Sequence, residues 1–494
     1  MKAISLRKRD PSTRLDPVVR RIGMVTVIGS VMSILDTMVV NVALDSLSSK
    51  LHTDIKTIQW VVTGYLLALA ATLPISAWAA RRVGLKRLYM ISLLIFTIGS
   101  GLCGLAWSAE SLIVFRVLQG IGGGMIIPLG QMIIVRAAGK ENLGRVMGVL
   151  STPTIIAPII GPTIGGLLLQ AFGWQSIFLI NLPVGVIALY FGQRVLPADK
   201  PESAGKLDFA GFVLAAVGTV SLIYGLTETA STGGVTALKS GGATLAGVVL
   251  LTAFVYESLH STAPLLNLHL FRNRSYSAVT ITSLMSSAAM FSAMVIGPFY
   301  FQLVRGEDAT HTALLVAPVS VGVVLVVGRA GRISDRFGGG RLAIAGLILG
   351  GLSLLPFTVF DEHTSYVLIV FFNILRGVGF GAVGIPLFAV AFSSVGPAHV
   401  QDASVQLNIV QRVGSSLGTA IATVVLQQAL SRHADTPAGK ALAFQHTFWW
   451  LTSISLVALI PATWLWHTER QSGLRKQESV TVDVLALEAT TEPV

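Results

Sequence analysis

The chain has 494 residues, of which 53% are apolar and only 12% charged, with a mean hydropathy of +0.73. That balance excludes a water-exposed domain of this size, and the net charge of +11 is no nucleic-acid signal, because the basic residues sit in short segments between apolar runs. One cysteine, Cys103, excludes disulfide frameworks and thiolate metal sites, and the nine histidines lack an HExxH spacing, so no metal site is expected.

Residues 1–21 form a basic arm. The apolar run after Arg21 is roughly 25 residues long and has no A-x-A cleavage pattern, so it reads as a first spanning helix, not a cleaved signal. Taking about 20 apolar residues per crossing, spans fall at 22–46, 57–79, 88–106, 112–134, 145–169 and 176–195. A polar stretch from Leu196 to Lys206 precedes two more at 208–226 and 241–258, and a polar segment ends at Arg274. Six further spans follow at 276–302, 311–328, 342–359, 365–389, 403–427 and 445–466. The expectation is an all-α membrane protein with 14 transmembrane helices: a first six-helix bundle over 22–195, a linker over 196–274 carrying two additional central helices, and a second six-helix bundle over 275–467. Residues 468–494 are polar and acidic, and read as a disordered cytoplasmic tail.

Of the 35 Lys and Arg residues, 26 lie in segments on the side of the termini, 6 in the opposite loops and 3 within spans. The positive-inside rule places both termini in the cytoplasm of a bacterial plasma or inner membrane.

Two passages recur about 255 residues apart. Gln119-Gly120-Ile121-Gly122-Gly123-Gly124 is echoed by Arg376-Gly377-Val378-Gly379-Phe380-Gly381, and the basic loop Ala77 to Arg87 by Gly331 to Arg341. Repeats of this kind mark carriers that work by alternating access, and closely spaced glycines let helices approach.

The chain resembles the fourteen-helix drug:proton antiporters of the EmrB/QacA type within the major facilitator superfamily. The resemblance covers nearly the whole chain. It rests on Leu35-Asp36-Thr37-Met38-Val39-Val40-Asn41, on Ala157-Pro158-Ile159-Ile160-Gly161-Pro162-Thr163-Ile164-Gly165-Gly166, on Trp174 to Gly185, and on Arg116 with Gln119 and Gly120. It implies the major facilitator fold and an antiporter motif at Pro158, Gly161, Pro162, Gly165 and Gly166. It also implies a proton-transfer role for Arg116, and a cytoplasmic gate at Gly331, Asp335, Arg336 and Gly338. The first-half loop departs from the family pattern: Ala77 stands where the family has glycine and Arg81 where it has aspartate.

Among single residues, Asp36 lies halfway along the first apolar run, where an ionisable group is expensive unless it protonates, faces water or is paired. It is the candidate proton-coupling acid, with a structural ion pair as the competing reading. Arg116 is the deepest cation of the first half, and its competing reading is a side chain snorkelling to the outer interface. Arg376 and Arg412 either serve the transport path or tie helices through backbone carbonyls. Met290, Phe291 and Met294 form a stripe suited to hydrophobic ligands, or to lipid. Asn41, Trp60, Tyr65 and Gln131 occupy inner-helix positions of the superfamily and join them as substrate-cavity candidates.

The expected function is proton-coupled export of hydrophobic, often cationic, drugs or toxic compounds, with no cofactor beyond the proton gradient. No GxxxxGK[ST] loop is present to support ATP-driven pumping. The partners are small molecules, protons and the lipid bilayer; a requirement for a periplasmic adaptor is left open. The rivals are a narrow-substrate exporter of the same fold and a non-transporting membrane receptor or enzyme, although no catalytic constellation is visible.

Overall fold

The computed structural model describes residues 16–139, 143–199, 201, 205–232, 238–396 and 399–471. Among them there is no strand. The helices of the first half are α1 (Pro17–Lys50), α2 (Ile55–Thr72), α3 (Ser76–Val83), α4 (Leu85–Gly104), α5 (Ala109–Ala138), α6 (Leu143–Phe172), α7 (Gln175–Leu179) and α8 (Asn181–Val195). Next come α9 (Phe209–Thr232) and α10 (Leu238–His260). The second half holds α11 (Arg274–Leu303), α12 (Ala309–Phe337), α13 (Gly339–Leu354), α14 (Tyr366–Ser394), α15 (Val400–Arg432) and α16 (Pro437–Val457), the last continuing as an apolar helical stretch to Gln471. Thirteen helical segments among the described residues are long and apolar enough to cross a membrane. The 30-residue α6 covers the span expected at 145–169. The sequence expectation for 1–15 and for 472–494 lies outside the described residues.

Most helices extend beyond the apolar runs read from the sequence, because polar caps continue them past the hydrocarbon. Asp16 caps α1 through the Val18 amide, and Ser108 and Ser111 form a capping box on α5. The expected span 176–195 is broken between α7 and α8, and the break presents Asn181 to the protein interior.

The glycine echo packs helices. A Cβ on Gly122 would lie 2.6 Å from the Phe96 nitrogen and the Ser92 oxygen of α4, and one on Gly379 would lie 2.7 Å from the Gly350 Cα of α13. The loop echo is conformational as well: Gly84 and Gly338 adopt φ of +94° and +90°, which glycine enters without steric cost. Each is followed by a helix whose first amides are capped by a carboxylate from the C-terminal end of its half, just past α8 in the first and in the last turn of the stretch that continues α16 in the second. Asp199 accepts from the Leu85 and Lys86 amides, and Glu469 from Gly339 at 3.2 Å and Gly340 at 2.6 Å.

The cores show which end of the molecule is shut. On the side of the termini, Ile134, Val135, Val146 and Met147 of the first half share one core with Tyr276, Val327, Ile385 and Leu407 of the second. At the opposite end the halves keep separate cores, one around Leu47, Ile58, Leu112 and Trp174, the other around Tyr300, Phe357, Phe444 and Phe448. Polar contacts cross the shut end. Arg81 pairs with Asp402 at 3.0 Å, and Gln131 accepts from Ser404 at 3.0 Å and Asn408 at 2.9 Å. Arg81, at the position where the family has aspartate, thus meets an acid on α15 in the other half. Beside this interface α9 packs between α2 and α15, with Tyr224 stacked on Trp60 and Leu222 and Leu226 clustered with Ala420.

Two predictions follow from packing and charge. Ala gains up to about 1 kcal/mol over Gly in a helix, whereas forcing a methyl into a filled site costs about 1–3 kcal/mol. Gly122→Ala should therefore lower the Tm of the purified protein, while Gly384→Ala, with no heavy atom within 4 Å of the added Cβ, should leave it unchanged or raise it; equal shifts would refute the close-packing account. Arg81→Glu sets two like charges across the shut end. A reporter Ile409→Cys should then react about fivefold faster with an impermeant thiol reagent, equivalent to roughly 1 kcal/mol, and the added Asp402→Arg exchange should restore protection.

Candidate functional site

The deepest charge cluster is built by α1, α5 and α8. Asp36 sits roughly 29 Å along α1, a helix about 51 Å long, so it lies well inside the apolar layer. Arg116 lies two turns into α5. Its Nη1 donates to Asp36 Oδ2 at 2.5 Å, and both side chains have no solvent exposure. Asp36 Oδ1 accepts from Gln119 Nε2 at 2.9 Å and Asn181 Nδ2 at 3.0 Å. Arg116 also donates to Gln119 Oε1 at 2.7 Å and to the Val61 carbonyl at 3.1 Å, and its guanidinium lies 4.0 Å from the centre of the Tyr65 ring. Among the described residues its Nη2 has no hydrogen-bond partner.

This geometry does not fit a snorkelling arginine, since Arg116 is buried and aimed at the acid. The pair is neutral as a unit, which makes burial affordable; losing either charge strands the other at a cost of about 3–5 kcal/mol. The cluster is therefore sensitive to one proton: protonating Asp36 removes the countercharge of Arg116 and turns one accepting oxygen into a donor.

An apolar cavity of about 330 Å³ adjoins the pair, lined among others by Val31, Leu35, Asp36, Ile164, Ile177 and Asn181. Its α6 wall comes from the fifth-span motif. A Cβ on Gly161 would stand 2.8 Å from Met38 Cβ, and one on Gly165 2.9 Å from Val39 Cγ1, so these glycines seat α6 against the turn of α1 next to Asp36. Gly166 has open space before it, and the side chains of Pro158 and Pro162 lie outside the described residues.

The other expected residues fall in several places. Tyr65 is buried, donating to the Ser33 carbonyl at 3.4 Å and stacked on Arg116. Asn41 is exposed and bonds back to the Thr37 carbonyl, and Trp60 stacks on Tyr224. Gln131 bridges the two halves. Phe291 and Met294 are exposed on α11 and Met290 is half-buried. Of the gate residues, Gly331 is buried and Gly338 makes the left-handed turn, while the side chains of Asp335 and Arg336 lie outside the described residues.

Sequence reading missed Asn181 and Asp402 as site members. Asn181 was visible as the polar residue between Ile180 and Leu182, and Asp402 lay one position before its expected span. The unusual Arg81 was the available signal that an acid should face it.

The Major Facilitator Superfamily model matches residues 26–419. A multidrug resistance protein B homolog of Mycobacterium tuberculosis is 34% identical over 422 residues, 85% of this chain and 78% of that protein. The putative multidrug resistance protein MdtD of Yersinia pestis is 33% identical over 349 residues, 70% of this chain and 74% of that protein. A solved structure, the human organic anion transporter MFSD10, aligns with a TM-score of 0.63 at 12% identity, covering 90% of this chain and all of that one, and is similar in fold alone. The all-helical architecture, the family match across most of the chain and these likenesses agree: the chain is a multi-pass membrane protein that belongs to the major facilitator superfamily.

Proposed function

We propose that this chain is a proton-driven antiporter that exports hydrophobic, drug-like compounds by alternating access. The observation that carries the reading is the Asp36–Arg116 pair, a buried acid on α1 whose partners come from α5 and α8 and whose adjoining cavity is of drug-binding size. Proton uptake on Asp36 releases Arg116 and loosens α1 from α5 and α8. An apolar compound in the adjoining cavity desolvates the same carboxylate. Proton and substrate thus act on one group, which is the minimum requirement for exchange.

Helices α1–α8 and α11–α16 serve as the two moving bundles, and α9 with α10 forms the inserted pair. With the termini in the cytoplasm, as the Lys and Arg bias supports, the shut end faces inward and the open end outward. Relatives named multidrug resistance proteins support a hydrophobic drug class. The cationic part of the expectation is not carried forward, because the charge of Asp36 is already answered by Arg116.

The test is proton release from proteoliposomes on adding hydrophobic dyes of neutral, cationic and anionic type. The wild type should release protons with several unrelated dyes. Asp36→Asn should lower that release by more than about tenfold while the protein stays folded. Undiminished release would remove Asp36 from coupling, and a response to a single compound would favour the narrow-substrate exporter.

A further inference from the structure

The two halves treat buried positive charge differently. At the repeat offset of 257 residues set by Gln119 and Arg376, Asn373 takes the place of Arg116, and α11, the first helix of the second half, carries no Asp or Glu. The parallel is structural as well: Asn373 Nδ2 donates to the Leu315 carbonyl at 2.8 Å, as Arg116 Nε does to Val61. The second half therefore keeps a guanidinium, Arg376, but lacks its acid. Arg376 is 3% exposed, its guanidinium lies 5.5 Å from the centre of the Phe357 ring, and among the described residues its Nη1 has no hydrogen-bond partner. Against it on α11 stands Gly297, where an added Cβ would lie 3.8 Å from Nη2.

Arg412 is a second such cation. Ser404, Asn408 and Arg412 are spaced four apart and so share one face of α15. The first two reach across to Gln131 of the first half, so Arg412 points toward the same half one turn deeper. Among the described residues its side chain makes no hydrogen bond or ion pair, and it stays partly exposed. Arginine stays protonated under all ordinary conditions, and an uncompensated guanidinium at this depth calls for an anion. Its planar fork suits a carboxylate or sulfonate held by two parallel bonds.

We propose that the second half carries an anion-binding site on the transport path, with Arg412 as its contact residue. Its ligand is an amphipathic organic anion, one carboxylate or sulfonate on an apolar body, carried as substrate. The inference rests on the transporter reading above but not on proton coupling.

The test is equilibrium binding to the full chain in neutral detergent, using fluorescein and rhodamine 123, two xanthene dyes of opposite charge. Fluorescein should bind at least about tenfold more tightly, Arg412→Gln should remove about that factor, and Arg412→Lys should retain part of it. Rhodamine 123 should bind both variants as it binds the wild type. Preference for rhodamine 123, or fluorescein binding untouched in Arg412→Gln, would overturn the site; proton-driven transport of cationic dyes would then leave the antiporter reading standing. Fluorescein transport in phosphatidylcholine liposomes supports a carried anion. Displacement of bound fluorescein by phosphatidylglycerol without transport would assign Arg412 to a lipid headgroup and overturn the substrate class.

Discussion

A charge in the bilayer interior must be answered, and the pairing of Asp36 with Arg116 is where this chain meets that demand most fully. Much of the first half is arranged around it. The break between α7 and α8 brings Asn181 to the carboxylate, and Ser100 on α4 accepts from the same amide at 3.0 Å. The small residues of α5 let α2 and α4 close in, which sets Tyr65 of α2 over the guanidinium, while Phe178 of α7 lies 5.7 Å from it. Gly161 and Gly165 seat α6 on the turn of α1 beside the acid. Motifs that look independent along the chain thus meet at one pair of charges, and a motion that separates the pair disturbs every one of them.

The shut end shows how an internal repeat tolerates a changed residue. Both halves keep the left-handed glycine and the carboxylate cap on the following helix, from Asp199 in one and Glu469 in the other. Those features depend on backbone geometry, which a neighbouring side chain barely alters. The charge at position 81 is different, because its partner sits in the opposite half. An arginine there requires an acid across the interface, and Asp402 supplies it.

The architecture was legible in the sequence because lipid imposes it: twenty-residue apolar runs and the basic bias of alternate loops follow from the solvent, whatever the protein does. Asp36 and Arg116 were legible for the same reason, as charges out of place. What the sequence left hidden are pairings across long separations. Nothing local in Arg81 points to residue 402, and nothing in Asn181 says that a helix break turns it inward. Trp60, read as a cavity candidate, stacks on the inserted helix because α9 occupies the side of α2, a placement that apolar patterning does not encode. The ends of helices were hidden too, since caps such as Asp16 and Ser108 lie beyond the apolar signal.

The repeat also separates what the fold requires from what transport requires. Both halves need glycines for close packing, and both have them. Only the first half has an acid for its guanidinium. If deep charges served packing alone, the second half would gain nothing by keeping Arg376 and Arg412 without a carboxylate partner among the described residues, because an apolar residue of similar size would pack there without the desolvation penalty. Their presence points to a countercharge that arrives from outside the chain. On the proposed reading the first half holds a complete ion pair that a proton opens, and the second an incomplete one that a ligand completes.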